Sequence, residues 1–289
     1  MDDNIFISTQ CIKRGGIIES IEAISEITPN IELTGGNLYE ENLLDKLRQI
    51  KGKKQLNLLI HGYFPPPKND FVLNFACTGN KTRDFIRETM AFVRALDIEY
   101  YSVHGGFKRD FDVKDEILIN PSGPQYTMQR VYENIEWFKR EFPEKILVIE
   151  NLYPNNNDPE NSLLTHIDEI TELMDSGNHV YLLLDLGHLK ISSRLFRFNY
   201  LDAVNTLFER FGNRIREVHL SENTGNNDDH FIVHTDSVQY MIIRKYARII
   251  AENKINIAVE SRNSSIDELT RCYNVIKDAL TPRENDFII

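Results

Sequence analysis

Residues 180–188 read VYLLLDLGH, an apolar run that ends on Asp185 and meets His188 three residues later. A short run without polar alternation marks a strand covered on both faces, as strands of parallel sheets are. Seven further runs of this kind occupy 5–8, 31–34, 56–61, 100–104, 146–150, 215–219 and 255–260. Stretches with helical spacing separate and follow them, over 16–27, 40–50, 81–95, 126–142, 162–175, 201–211, 237–252 and 266–280. Strict strand–helix alternation calls for right-handed crossovers and a parallel sheet. Eight such units in 289 residues meet the requirement of an α/β (β/α)8 TIM barrel. A doubly wound open sheet would carry a GxGxxG turn after its first strand, and Lys13-Arg14-Gly15-Gly16 lacks that spacing. The Pro65-Pro66-Pro67 and Asn155-Asn156-Asn157 tracts read as loop punctuation. One barrel domain over 1–289 is therefore expected.

Composition narrows the setting. Lys and Arg total 33 against 44 Asp and Glu, a net charge of −11, with 41% hydrophobic residues. That is ordinary globular composition, and no apolar run approaches the roughly 20 residues of a membrane helix. Acidic balance argues against a broad grip on nucleic acid, which needs clustered cations. Cys11, Cys77 and Cys272 stand far apart, which excludes a disulfide scaffold and suits a reducing cytoplasm. MDDNIFIST lacks the basic-then-apolar order of a secretory signal, so a cytoplasmic location is expected.

In a parallel barrel the chemistry gathers at the carboxyl ends of the strands, where the βα loops converge. Six consecutive runs end there on His, Asp or Glu: His61, His104, Glu150, Asp185, His219 and Glu260. His188, Asp228 and His230 follow in the next loops, so five of the chain's eight histidines fall in this set. Imidazole and carboxylate donors without thiolate suit Zn, Mn or Fe(II). Any one member alone is better read as a polar residue satisfied by its neighbours. Seven to nine in register point to a divalent-metal site, with further sites if Glu150 bridges.

The motifs IELTGG, IHGYF, VHGGF, VIENL, LDLGH, VHLSEN, DDH and VES stand in this order along nearly the whole chain. In them the chain resembles the xylose isomerase-like TIM-barrel superfamily, which contains sugar isomerases and epimerases and the endonuclease IV family of AP endonucleases. Resemblance to the epimerases implies that Glu150, Asp185, His219 and Glu260 hold one metal, often manganese. Glu150 and Glu260 would then move a proton through a metal-bound enediolate, and His188 would orient a substrate oxygen. Resemblance to endonuclease IV implies three zinc ions instead. His61, His104 and Glu150 would hold the first, Glu150, Asp185, His219 and Glu260 the second, and His188, Asp228 and His230 the third.

The chain departs from the nuclease pattern at GYFPPPKNDFVLNFA after His61, at Leu-Gly-His after Asp185, and in a shorter segment from His219 to Asp228. The preferred expectation is a metal-dependent isomerase or epimerase of a sugar or sugar phosphate. A multi-zinc phosphodiesterase is the first alternative and a non-catalytic carbohydrate-binding barrel the second. The expected partner is a small sugar, with nucleic acid less favoured, no membrane, and a homodimer as the candidate assembly. Lys13, Arg14, Lys108, Arg109 and Arg262 follow strand ends and could grip phosphate or carboxylate, while Phe64, Pro65, Pro66 and Phe107 could wall a ligand.

Overall fold

The computed structural model describes residues 4–12, 15–69, 72–114, 116–119, 125–154, 158–177 and 180–281, with 111–114 and 116–119 as backbone. Lys13, Arg14, the Asn155–Asn157 tract and His179 lie outside them. Eight parallel strands close a barrel: β1 (Ile5–Ser8), β2 (Asn30–Thr34), β3 (Asn57–His61), β4 (Tyr100–His104), β7 (Ile146–Glu150), β8 (Tyr181–Asp185), β9 (Ile215–Leu220) and β10 (Asn256–Val259). Going round, the order is β1-β10-β9-β8-β7-β4-β3-β2. The barrel reading of the alternation is correct, and each expected run lies within about two residues of a strand.

Period-two alternation sorts each strand into two faces. Phe6, Leu59, Tyr100, Val148, Leu183 and Ala258 form a separate buried cluster inside the barrel. The other face, with Ile7, Ile31, Leu33, Ile60, Val103, Ile149, Leu182 and Val218, packs beneath the helices. His61, Glu150, Asp185 and Glu260 lie two residues beyond Leu59, Val148, Leu183 and Ala258, so they share the inner face. The apolar plug thus becomes the floor on which the polar residues stand.

Three features depart from the expected units. An antiparallel hairpin, β5 (Phe111–Lys114) and β6 (Glu116–Ile119), lies in the excursion after β4. Helix α6 (Leu186–Phe196) starts directly from β8, and α7 (Tyr200–Phe211) follows it. The expected helix over 237–252 is α8 (Val238–Lys245) and α9 (Ala247–Glu252), parted at Tyr246. A bulge in β9 sets Leu182 opposite Ile215 but Leu183 opposite Glu217, and restores a register in which Asp185 faces His219.

Candidate metal centre

Strand register builds the site. His104 pairs with Glu150 across β4 and β7, and Asp185 pairs with His219 across β8 and β9. Asp185 also caps α6, its Oδ1 accepting from the His188 backbone N–H at 2.7 Å. This cap places His188 one turn into the helix, over the barrel. The loop after β9 folds back on itself through Glu222 and Phe231, which exchange backbone hydrogen bonds of 2.9 and 2.7 Å. It delivers Asp228 and His230, the latter at φ 55°, to the same mouth.

Glu150 is the hub. Its Oε2 lies 3.1 Å from Nε2 of both His61 and His104, which are 3.4 Å apart. Its Oε1 lies 3.2 Å from His188 Nδ1 and 3.9 Å from His219 Nδ1. His219 Nδ1 is in turn 3.1 Å from Glu260 Oε2 and 4.0 Å from Asp185 Oδ2. A third group links His188 Nε2 to Asp228 Oδ1 at 3.8 Å, and Asp228 Oδ2 to His230 Nε2 at 2.6 Å. All nine residues named from the strand ends are brought together, in three adjoining groups that share Glu150 and His188.

These residues fit a bound cation. Both Glu150 oxygens, Asp185 Oδ2, His219 Nδ1 and Asp228 Oδ1 are buried without a hydrogen-bond partner. Orphaned buried polar atoms are costly unless something else satisfies them. The outward ring nitrogens are already tied down. His61 Nδ1 contacts Ser102 Oγ at 3.0 Å, His188 Nδ1 the Asn151 carbonyl at 3.0 Å, and His230 Nδ1 the Glu260 carbonyl at 2.6 Å. His219 Nε2 contacts Glu32 Oε2 at 2.9 Å. Each contact to a carbonyl or carboxylate requires the proton on that nitrogen, so the ring's other nitrogen is the one that can release its proton and ligate an ion.

Electrostatics point the same way. Burial alone would raise the Glu150 carboxyl, but His104 and His61 outweigh it and hold it well below the usual range. Glu260 is lowered likewise, burial being overcome by His219. Burial and the nearby Glu150 charge push Asp185 to about 6, despite His188. Burial disfavours the charged imidazoles, yet Glu150 lifts His61 to about 9, and Asp185 with Glu150 lifts His188 to about 10. Such a nest of anionic carboxylates attracts cations, whether protons or metal.

A cleft of about 270 Å³ opens above this floor, lined by Gln10, Tyr63, Tyr153, His188, Glu260 and Arg262 among others. Arg262 sits 3.5 Å from Asp228 and is half exposed. Lys108 and Arg109 do not line it. Lys108 pairs with Glu160 at 3.6 Å, and the Arg109 backbone N–H is held by Asn161. Phe64 is fully buried against Phe92, so Tyr63 and Tyr153 supply the walls in its place. Sequence reasoning missed Gln10, whose Nε2 donates to Glu260 at 2.6 Å, and the wholly buried Glu32 and Glu217. A charged residue inside an apolar run, as in NIELT and IREVHL, was the available signal.

Residues 20–268 match the family model described as xylose isomerase-like TIM barrel. An uncharacterised protein of Methanocaldococcus jannaschii is 22% identical over 200 residues, 68% of each chain. A crystal structure of a D-tagatose 3-epimerase-like protein superposes with TM-score 0.67 at 17% identity, covering 96% of this chain and 97% of that one. AP endonuclease family 2 from Brucella melitensis gives 0.63 at 12% identity, covering 93% and 96%. With the family match spanning most of its length, this chain belongs to the xylose isomerase-like TIM-barrel family.

Proposed function

We propose that the protein is a metal-dependent isomerase or epimerase acting on a small sugar or sugar phosphate. One observation carries this reading: the donor floor opens into a small aromatic-walled cleft whose single Arg or Lys lining residue, among the described residues, is Arg262. That volume suits a monosaccharide, and one cation is too few for a bent duplex. Glu150, Asp185, His219 and Glu260 would hold the ion. A divalent ion bound there supplies polarisation of a carbonyl and so acidifies the neighbouring C–H.

The protein's own groups do the rest. Glu260 lines the cleft, with Oε1 accepting from Gln10 and Oε2 3.1 Å from His219, and there it would take and return a proton. His188, also in the lining, orients a substrate oxygen. Resemblance gives Glu150 the same task as Glu260, but Glu150 lies beneath the lining residues with imidazoles at both oxygens, which suits it to holding metal. Tyr63 and Tyr153 exclude water from the reacting carbon.

Phosphoester hydrolysis is the second reading, favoured by the extra donors His61, His104, Asp228 and His230, which exceed the needs of one ion. The test is incubation of the Mn²⁺- or Zn²⁺-loaded protein with ketoses and their phosphates in D2O, followed by NMR. Deuterium should enter at the carbon beside the carbonyl, and Glu260→Gln should abolish its entry while keeping the fold. Full exchange in that variant would remove Glu260 from the role. No exchange with any sugar, together with cleavage of an abasic oligonucleotide, would put hydrolysis first.

A further inference from the structure

Four of the central histidines have their outward nitrogen anchored, but the anchors differ in kind. His61 leans on a hydroxyl, and His188 and His230 on backbone carbonyls. His219 alone leans on a carboxylate, Glu32, which reaches it from β2 across the barrel. Glu32 and His219 are both 0% exposed. A carboxylate oxygen can only accept, so Nε2 of His219 keeps its ring proton and Nδ1 is the nitrogen that can release a proton to take a cation. That nitrogen has no hydrogen-bond partner and faces Glu260, Glu150 and Asp185. Glu217, two residues before His219 on β9, stands further off, its Oε1 3.6 Å from the same Nε2.

We infer that Glu32 is a positioning residue: from β2 it sets the tautomer and ring angle of His219 and thereby the affinity of the Glu150–Asp185–His219–Glu260 group for a divalent ion. Charged second partners of this kind raise the basicity of a ligating imidazole, and their loss costs about 10- to 100-fold in metal affinity. Glu32 does not line the cleft, and its hydrogen bond is to His219. Glu32 and His219 also stand within an ion's reach of His61, so the group spared by their loss is the one at Asp228–His230. The inference rests on the metal-binding reading proposed above.

The test is Co²⁺ titration of the metal-free protein, followed by visible absorption, with thermal unfolding of each metal-free variant. Glu32→Leu, which loses the acceptor, should weaken the class of Co²⁺ site that includes His219 about 10- to 100-fold and leave a class at Asp228–His230 unchanged. Glu32→Gln keeps an acceptor without the charge and should fall between it and wild type, which keeps the test open should the leucine variant fail to fold. Glu217→Gln should bind Co²⁺ as wild type does. Wild-type affinity in both Glu32 variants, with lowered melting temperature alone, would make Glu32 merely structural. Equal weakening by Glu217→Gln would make buried charge, not positioning, the cause. Failure of the wild type itself to bind any divalent ion would overturn the metal reading and this inference together, and is recognisable because it precedes any substitution.

Discussion

Glu260 and Arg262 sit two residues apart on the loop leaving β10 yet face different tasks. Glu260 is 4% exposed and held by Gln10 and His219, whereas Arg262 is half exposed at the rim. Arg262→Ala should therefore raise KM for a phosphorylated sugar about tenfold, the scale of a charge-assisted hydrogen bond, with little change for the unphosphorylated one. Equal effects on both would remove phosphate from its role. Protonation of the centre is also measurable. Burial lowers His61, but Glu150 outweighs it and lifts the imidazole from 6.5 to about 9. A raised histidine contributes stability that is full below the unfolded value and lost as pH rises through the folded one. Metal-free protein should thus lose stability to urea between about pH 6.5 and 9, and a divalent ion, which displaces that proton, should stabilise more at the upper end. A flat profile would show that Glu150 does not pair with protonated His61.

At the scale of elements, the β8–α6 junction joins cap and ligand in one side chain. Asp185 uses Oδ1 to cap α6 and leaves Oδ2 facing His219. Asparagine caps as well as aspartate, so Asp185→Asn should keep the metal-free stability and lose metal affinity, while Asp185→Ala should lose about a further 1 kcal/mol of stability. Denaturant melts of both metal-free variants decide this. Turn geometry matters similarly after β2. A Cβ on Gly35 would overlap the Tyr63 carbonyl, so Gly35→Ala should cost roughly 1–3 kcal/mol and displace a cleft wall. The eight barrel strands were legible because buried parallel strands write themselves as apolar runs. Helix α6 was not, because Gly187, Ile191, Ser192 and Ser193 are weak helix formers, and packing against α7 and β9 overrides propensity. In the hairpin strands 111–114 and 116–119 the apolar run is confined to Ile117–Ile119, and Asp112, Lys114 and Glu116 interrupt the rest.

For the whole molecule, the proposed metal binding would link metal to stability. Buried carboxylates and imidazoles that lack partners are a cost to the bare fold, so a chelator should lower the melting temperature, and metal at 100 times its Kd should restore about 2.7 kcal/mol. Elemental analysis giving near one ion per chain would favour the epimerase-like site, and near three the hydrolytic one. No helix among the described residues is long and apolar enough to cross a membrane. Sequence by itself determined the barrel and the nine candidate donor positions at its mouth, because strand burial and strand ends are local properties written in consecutive residues. Tertiary structure alone decided which donors share an ion-sized space, that Glu32 from β2 backs His219 from β9, that Tyr63 replaces Phe64 at the cleft, and that Lys108 turns away to Glu160. Those facts depend on distances between strands far apart in the chain, which barrel closure, register and one bulge set.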